Sequence, residues 1–254
     1  MKKFSDRILL LMPVIFVMII PELKAQKKST GLELGAGLGL FVYQGDLTPQ
    51  RLGSFRTMKP GIVLSAAHIM SPSFAVRLNF SAGSLKGDEA KYNNPEYRKF
   101  RAFAFKSPLV EITPQIVWNL LGKNDAEKSL SPYVFAGAGI SFLNIKRDYS
   151  RFDAAYFGDG SSIPQGIAAD EQQRLPKMRM VIPLGAGFRY NLSHSFALNT
   201  EVSYRLLNTD YLDGFSMAAN PERNDHYQSI SAGIIYRLGN HKKSRSGLGC
   251  PVLK

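Results

Sequence analysis

"MVIPLGAGFRYNLSHSFALNTEVSYRLL" (Met180–Leu207) is the stretch that decides the fold. In its first half Met180, Ile182, Leu184, Ala186, Phe188 and Tyr190 alternate with Pro183, Gly185, Gly187 and Arg189, with Val181 the exception. In its second half Phe196, Leu198, Thr200, Val202, Tyr204 and Leu206 oppose Asn199, Glu201, Ser203 and Arg205. Residues two apart share one face of a strand, so each half is a strand with an apolar and a polar face. The short connection 192–194 joins them as a hairpin.

The same period recurs outward from this hairpin. Phe74, Val76, Leu78, Phe80 and Ala82 oppose Arg77, Asn79, Ser81 and Gly83; Ile230, Ala232, Ile234, Tyr236 and Leu238 oppose Ser229, Ser231, Gly233 and Arg237. Eight such segments are expected, over 31–44, 57–70, 73–86, 99–120, 131–146, 177–191, 195–208 and 226–238. Pro60, Pro108 and Pro114 fall inside the second and fourth, where bulges or irregular ends are expected. Long connections (45–56, 87–98, 147–176, 209–225) alternate with short or medium ones (71–72, 121–130, 192–194). An even number of strands with this loop alternation predicts an all-β fold, an eight-stranded antiparallel up-and-down transmembrane β-barrel of OmpA/OmpX-like architecture.

A soluble eight-stranded barrel would turn its apolar face inward. Aromatic placement argues for the membrane. Phe74, Trp118, Phe188, Tyr190, Phe196 and Tyr236 lie on the apolar face near the short connections or the end of the last strand. In a membrane barrel they form one girdle at the periplasmic interface.

The termini divide the chain further. "MKKFSDR" is basic, "ILLLMPVIFVMIIP" is apolar but short for a bilayer span, and Ala25 offers a cleavage site. The expected organisation is a signal peptide over 1–25, an outer-membrane barrel over 26–238 and a basic periplasmic tail over 239–254. The chain carries a net charge of +12; removing the signal leaves 28 basic and 18 acidic residues, a net +10. Basic residues outside the tail alternate with apolar ones inside strands, which argues against nucleic-acid binding. The single cysteine, Cys250, excludes an internal disulfide and a cysteine-based zinc site.

Glycine-rich "GAG" at 35–37, 137–139 and 185–187, and "SAG" at 81–83 and 231–233, resemble phosphate loops only in isolation. A dinucleotide fingerprint needs a strand, a turn and a helix start, whereas these motifs sit within strands. On the polar, lumen-facing side they are expected to make room for arginines and aromatics from opposite strands. That side also carries Glu33, Arg77, Glu111, Arg189, Glu201, Arg205 and Arg237. Buried charges must pair, so a closed lumen network is expected, with an ion path as its functional alternative.

Of the four histidines only His226 lies near the external rim, and Ser229 falls on the opposite face of its strand, a poor arrangement for a catalytic dyad. In "NTDYLDGFS" Asp210, Tyr211 and Asp213 open the last external loop; the aspartates are expected to cap turns, with a weak cation site as the alternative. Loop 147–176 mixes acidic and basic residues, as a solvated surface does, but Phe152, Tyr156 and Phe157 offer contacts to a partner or to the barrel mouth. No cofactor or metal is expected.

"ELGAGLGLFVYQGDL", "FKSPLVEITPQIVWNLL", "SPYVFAGAGISFLN", "IPLGAGFRYNLSHSFALNTEVSYR", "NTDYLDGFS" and the "GCP" tail resemble the PorG-like outer-membrane β-barrel proteins over nearly the whole mature chain. The resemblance implies an accessory role in type IX secretion and contact with periplasmic secretion-ring proteins, or the unassigned role of other relatives. It places Cys250 on the periplasmic side. "SAGIIYRL" (Ser231–Leu238) resembles the C-terminal signal read by the barrel-assembly machinery. The expected partners are that machinery, outer-membrane lipid and lipopolysaccharide. The expected function is a non-enzymatic, structural or secretion-associated Gram-negative envelope component; a small-solute channel and a lipid-modifying enzyme are the alternatives.

Overall fold

The computed structural model describes residues 31–238 apart from 125 and 223; the expected signal peptide, the basic tail and Cys250 lie outside the described residues. Eight strands follow one another: β1 (Leu32–Gln44), β2 (Lys59–Ile69), β3 (Phe74–Asp88), β4 (Ala104–Asn119), β5, β6 (Met178–Asn191), β7 (Phe196–Leu207) and β8 (His226–Leu238). β5 comprises three segments, Ser129–Gly137, Gly139–Leu143 and Lys146–Asp148. Each strand pairs antiparallel with the next. β1 pairs with β8 from Leu32↔Leu238 to Gln44↔His226, which closes the ring. The fold is an eight-stranded antiparallel β-barrel.

Prolines act differently from expectation. β4 carries Pro108 and Pro114 without a bulge, and the irregularity appears on β5 instead. Ala138 donates its N–H to Pro114 O (3.3 Å) and Asn144 donates to Pro108 O (3.1 Å). A proline has no N–H to return, so half of each bonded pair is missing and the strand is interrupted there. Register carries through unchanged: Gln115↔Gly137, Ile112↔Ile140 and Lys106↔Lys146 belong to one series. The three segments are therefore one strand. A second difference lies before β4, where 99–101, expected as strand, completes a short helix, α1 (Tyr97–Arg101), and the strand starts only at Ala104.

The faces are sorted as the alternation requires. Leu34, Leu38, Leu64, Leu78, Ile116, Leu184 and Ile234 are exposed on the outside, whereas Glu33, Arg77, Glu111 and Glu201 are buried inside. An exposed apolar exterior around a polar interior is what a bilayer-spanning barrel needs. Glycines on the inner face admit aromatics from the adjacent strand, or for Gly83 from the strand beyond it (Phe41), rather than from opposite strands. A Cβ at Gly185 would lie 2.3 Å from the Phe135 ring, and one at Gly187 would lie 2.7 Å from the Tyr133 ring. Those rings belong to the residues paired with the glycines across β5 and β6.

The long connections do not stay open. Loop 147–176 forms α2 (Ala154–Phe157) and α3 (Ile163–Gln172), and with loop 209–225 it folds over the mouth. Leu47, Leu212, Phe215 and Ala218 from the loops pack with inward-facing Phe41, Leu85, Phe105, Leu143, Leu207 and Tyr227 from the strands. The molecule thus has a conventional hydrophobic core, placed at the long-loop end of the barrel.

Candidate functional site

The lumen charges form three tiers. Nearest the short turns, Arg189 donates to Glu33 from Nη1 (2.8 Å) and Nη2 (2.6 Å), and Arg237 donates to Glu33 from Nε (3.0 Å) and Nη2 (2.9 Å). In the middle tier Arg77 pairs with Glu201, donates to Gln115 Oε1 from Nε (2.9 Å) and Nη2 (2.7 Å), and lies 4.7 Å from the Phe135 ring centroid. Tyr133 donates its hydroxyl to Glu201 Oε1 at 2.6 Å. Nearest the cap, Glu111 Oε2 accepts from Arg205 Nε (3.1 Å) and the Tyr227 hydroxyl (2.6 Å). Arg205 also donates to Ser229 Oγ at 2.5 Å.

All the charged residues expected in the lumen therefore sit there, each against an opposite charge. Four arginines facing three glutamates leave one positive charge in excess, at the Glu33 tier. Sequence reasoning placed Ser229 on the inner face without giving it a role in the network, and it missed the other neutral members, Gln115, Tyr133 and Tyr227. Their signal was available: each lies an even number of positions from Glu111, Phe135 or Arg237 on its strand, on the inward side. Cavities beside the tiers are small, about 40 Å³ between Glu33, Arg77, Tyr133 and Arg189 and about 20 Å³ by Gly37, Asn79, Asn199 and Gly233. Each has room for a water or two.

Above the lumen lies a carboxyl cluster in the cap. Tyr43 Oη sits 2.6 Å from Asp213 Oδ2 and 2.8 Å from Asp225 Oδ1, all three residues being buried. A phenol has one proton to donate, so the second contact needs a proton from a carboxyl. Burial pushes the Asp213 and Asp225 carboxyls well above the usual range, and for Asp225 the charge of Asp213 adds to it. Asp210 is pushed up to about 6, by burial first and then by the charges of Asp46 and Asp170. Asp213 also caps a turn, its Oδ1 accepting from Phe215 N–H at 2.8 Å. Tyr211 donates to Asp170 Oδ1 (3.2 Å), and Asp170 accepts from the N–H groups of Ser216, Met217 and Ala218. Asp170 thereby ties α3 to the last loop. In the second long loop Arg98 and Arg101 converge on buried Glu89, at 2.8 and 2.6 Å. Among the described residues no group of three or more His, Cys, Asp or Glu has an arrangement that holds a metal ion.

The girdle aromatics all face outward at the short-turn end, between 41% and 56% exposed. Phe74 and Trp118 are register partners with stacked rings (6.2 Å), and Phe196 lies against Tyr236 (5.2 Å). His226 and Ser229 are not brought together. Ser229 is engaged by Arg205 inside the lumen, while His226 Nδ1 accepts from Leu207 N–H (3.4 Å) and its ring lies beside Tyr204 (5.6 Å).

Sequence comparison adds a family to this geometry. A family model described as a domain of unknown function (DUF6089) matches residues 8–240. The chain belongs to that family. No curated protein matches it. Among solved structures, it is similar to Neisserial surface protein A (14% identity, covering 82% of this chain and 97% of that one, TM-score 0.47). It is also similar to Ail, the attachment invasion locus protein of Yersinia pestis (13%, 82% and 99%, TM-score 0.45). A third similar structure is the outer membrane protein OprG from Pseudomonas aeruginosa (10%, 84% and 98%, TM-score 0.45). At these identities the likeness is one of fold.

Proposed function

We propose that the protein is a closed, non-catalytic barrel of the bacterial outer membrane that serves as a structural or secretion-associated, PorG-like component of the envelope. The observation that carries this reading is the double closure of the barrel. The lumen is filled by paired charges, and its outer mouth is sealed by an apolar cap. An eight-stranded ring has interior space for side chains alone, which agrees with both. The engagement of Ser229 by Arg205 supports a role without nucleophilic catalysis.

Reconstitution in planar bilayers tests the closure. The expected outcome is no stable conductance step; a reproducible open level would replace this reading with a small-solute channel. Crosslinking through Cys250 in intact cells, followed by pull-down, tests the secretion role. Recovery of a periplasmic ring protein is expected, and recovery of barrel-assembly components alone would reduce the role to a structural one.

A further inference from the structure

One group of charges stands on the lipid-facing side of the barrel. Outward along β4 run Trp118, Ile116, Pro114, Ile112, Val110 and Pro108. Ten residue steps at ~3.3 Å, inclined by ~40°, rise about 25 Å, the height of the apolar band of an outer-membrane barrel. The next residue on this face is Lys106. Lys86 of β3 stands directly across from it on one side and Lys146 of β5 on the other. With strands ~4.8 Å apart, three ammonium stems start within about 10 Å of one another.

Like charges placed directly opposite destabilise a sheet, so this row needs a counter-charge. The chain supplies little of one. Lys86 has Asp88 at 3.7 Å, but Arg151 holds the same carboxylate at 2.9 Å. Lys106 and Lys146 have no ion-pair partner among the described residues. Asp148, one step outward on the same face as Lys146, accepts from Ser150 N–H (3.0 Å) and Oγ (2.7 Å) through Oδ1 and forms no ion pair with Lys146. Below the row Val110 and Phe142 are register partners, both exposed. An apolar surface surmounted by three lysines with a single shared carboxylate in ion-pair range matches an amphiphile whose acyl chains lie below an anionic headgroup.

We propose that Lys86, Lys106 and Lys146 bind the phosphate headgroup of a glycolipid in the leaflet at the long-loop end. The site rests on the transmembrane barrel and not on the secretion-associated role, and the conductance experiment above leaves it untouched. It makes the barrel's outer edge a specific lipid contact rather than a generic interface.

The test uses the full protein in phosphatidylcholine vesicles, with and without diphosphorylated lipid A or the same lipid dephosphorylated. Two readouts are the temperature at which the folded, fast-migrating band is lost on a gel, and lipid retained by the purified protein in native mass spectrometry. Diphosphorylated lipid A is expected to raise the wild-type midpoint, and the dephosphorylated lipid to leave it unchanged. In K86Q/K106Q/K146Q the shift is lost, and retention of the phosphorylated lipid weakens on the order of 100-fold. The midpoint in phosphatidylcholine alone stays at or above that of the wild type, since the repulsion is gone. Equal shifts in wild type and variant, or equal shifts from both lipids, overturn the proposal. An acidic protein as the true occupant gives no lipid shift in either form and overturns it too. If the triple variant fails to fold, K106Q carries the comparison, and the absence of phosphate-dependent retention by the wild type is decisive alone.

Discussion

Arg77 shows what holds the barrel interior together. Its guanidinium is buried and is met by Glu201, by Gln115 and by the Phe135 ring. Taking a charge out of water costs several kcal/mol, which the partner and the remaining hydrogen bonds must offset. Removing one member leaves the other uncompensated. Arg77→Ala is therefore expected to destabilise the barrel by about 3–5 kcal/mol, and Arg77→Met with Glu201→Leu to restore most of the loss. Urea unfolding followed through the only tryptophan, Trp118, measures both. A double variant as unstable as the single would mean that the pair does more than neutralise itself. The charged members of this network are legible because alternation assigns each to the inner face. Which arginine meets which glutamate is not legible, because Arg77 and Glu201 meet across the lumen from β3 and β7, and that meeting depends on the stagger around the ring.

At the scale of the strand, small residues and prolines set the local shape. Gly185 and Gly187 seat the rings of Phe135 and Tyr133 from the next strand. Gly187→Val is expected to cost roughly 1–3 kcal/mol or more, because the new Cβ would lie 2.5 Å from the Thr200 carbonyl oxygen and would also displace Tyr133 and its bond to Glu201. Ala186→Val, between the two glycines but facing lipid, is expected to be tolerated. Comparing the two variants in the same unfolding assay isolates the inward face; equal effects would mean that strand propensity, not packing, is being read. The strands were legible from period two alone. The position of the irregularity was not, because a proline's missing donor is felt by the residue across from it. Pro114 interrupts the strand of Ala138 and leaves its own intact.

At the scale of the molecule, the cap was legible only at Phe152, one of the loop aromatics expected at a partner or the barrel mouth, which packs against the cap cluster. Leu47, Phe103, Leu212 and Phe215 have no common period, and they come together only because four loops meet above one ring. The cap also contains the groups most sensitive to pH. A carboxyl whose folded pKa exceeds its unfolded value of about 3.9 supports the fold only while protonated. Stability of the cap is thus fully present at low pH and falls as pH rises, from about 4 through about 6 for Asp210, with the raised Asp213 and Asp225 carboxyls acting in the same direction. Hydrogen exchange at the amides of Leu212, Phe215 and Ser216, corrected for intrinsic rates, is expected to show less protection at about pH 8 than at about pH 5. Asp213→Asn is expected to flatten the difference; a wild type with no pH dependence would remove the shared proton from the account.

Tyr43 joins the first strand to both ends of the last loop. The cap's aromatic residues must cross the bilayer as separate hydrophobic loops, because the surface that receives them exists only once β1 and β8 have met. The cap therefore assembles only after the ring has closed. Parting β1 from β8 would then require breaking the Tyr43 contacts to Asp213 and Asp225 and opening the apolar cluster above them. The loops act as a latch across the seam that their own strands create.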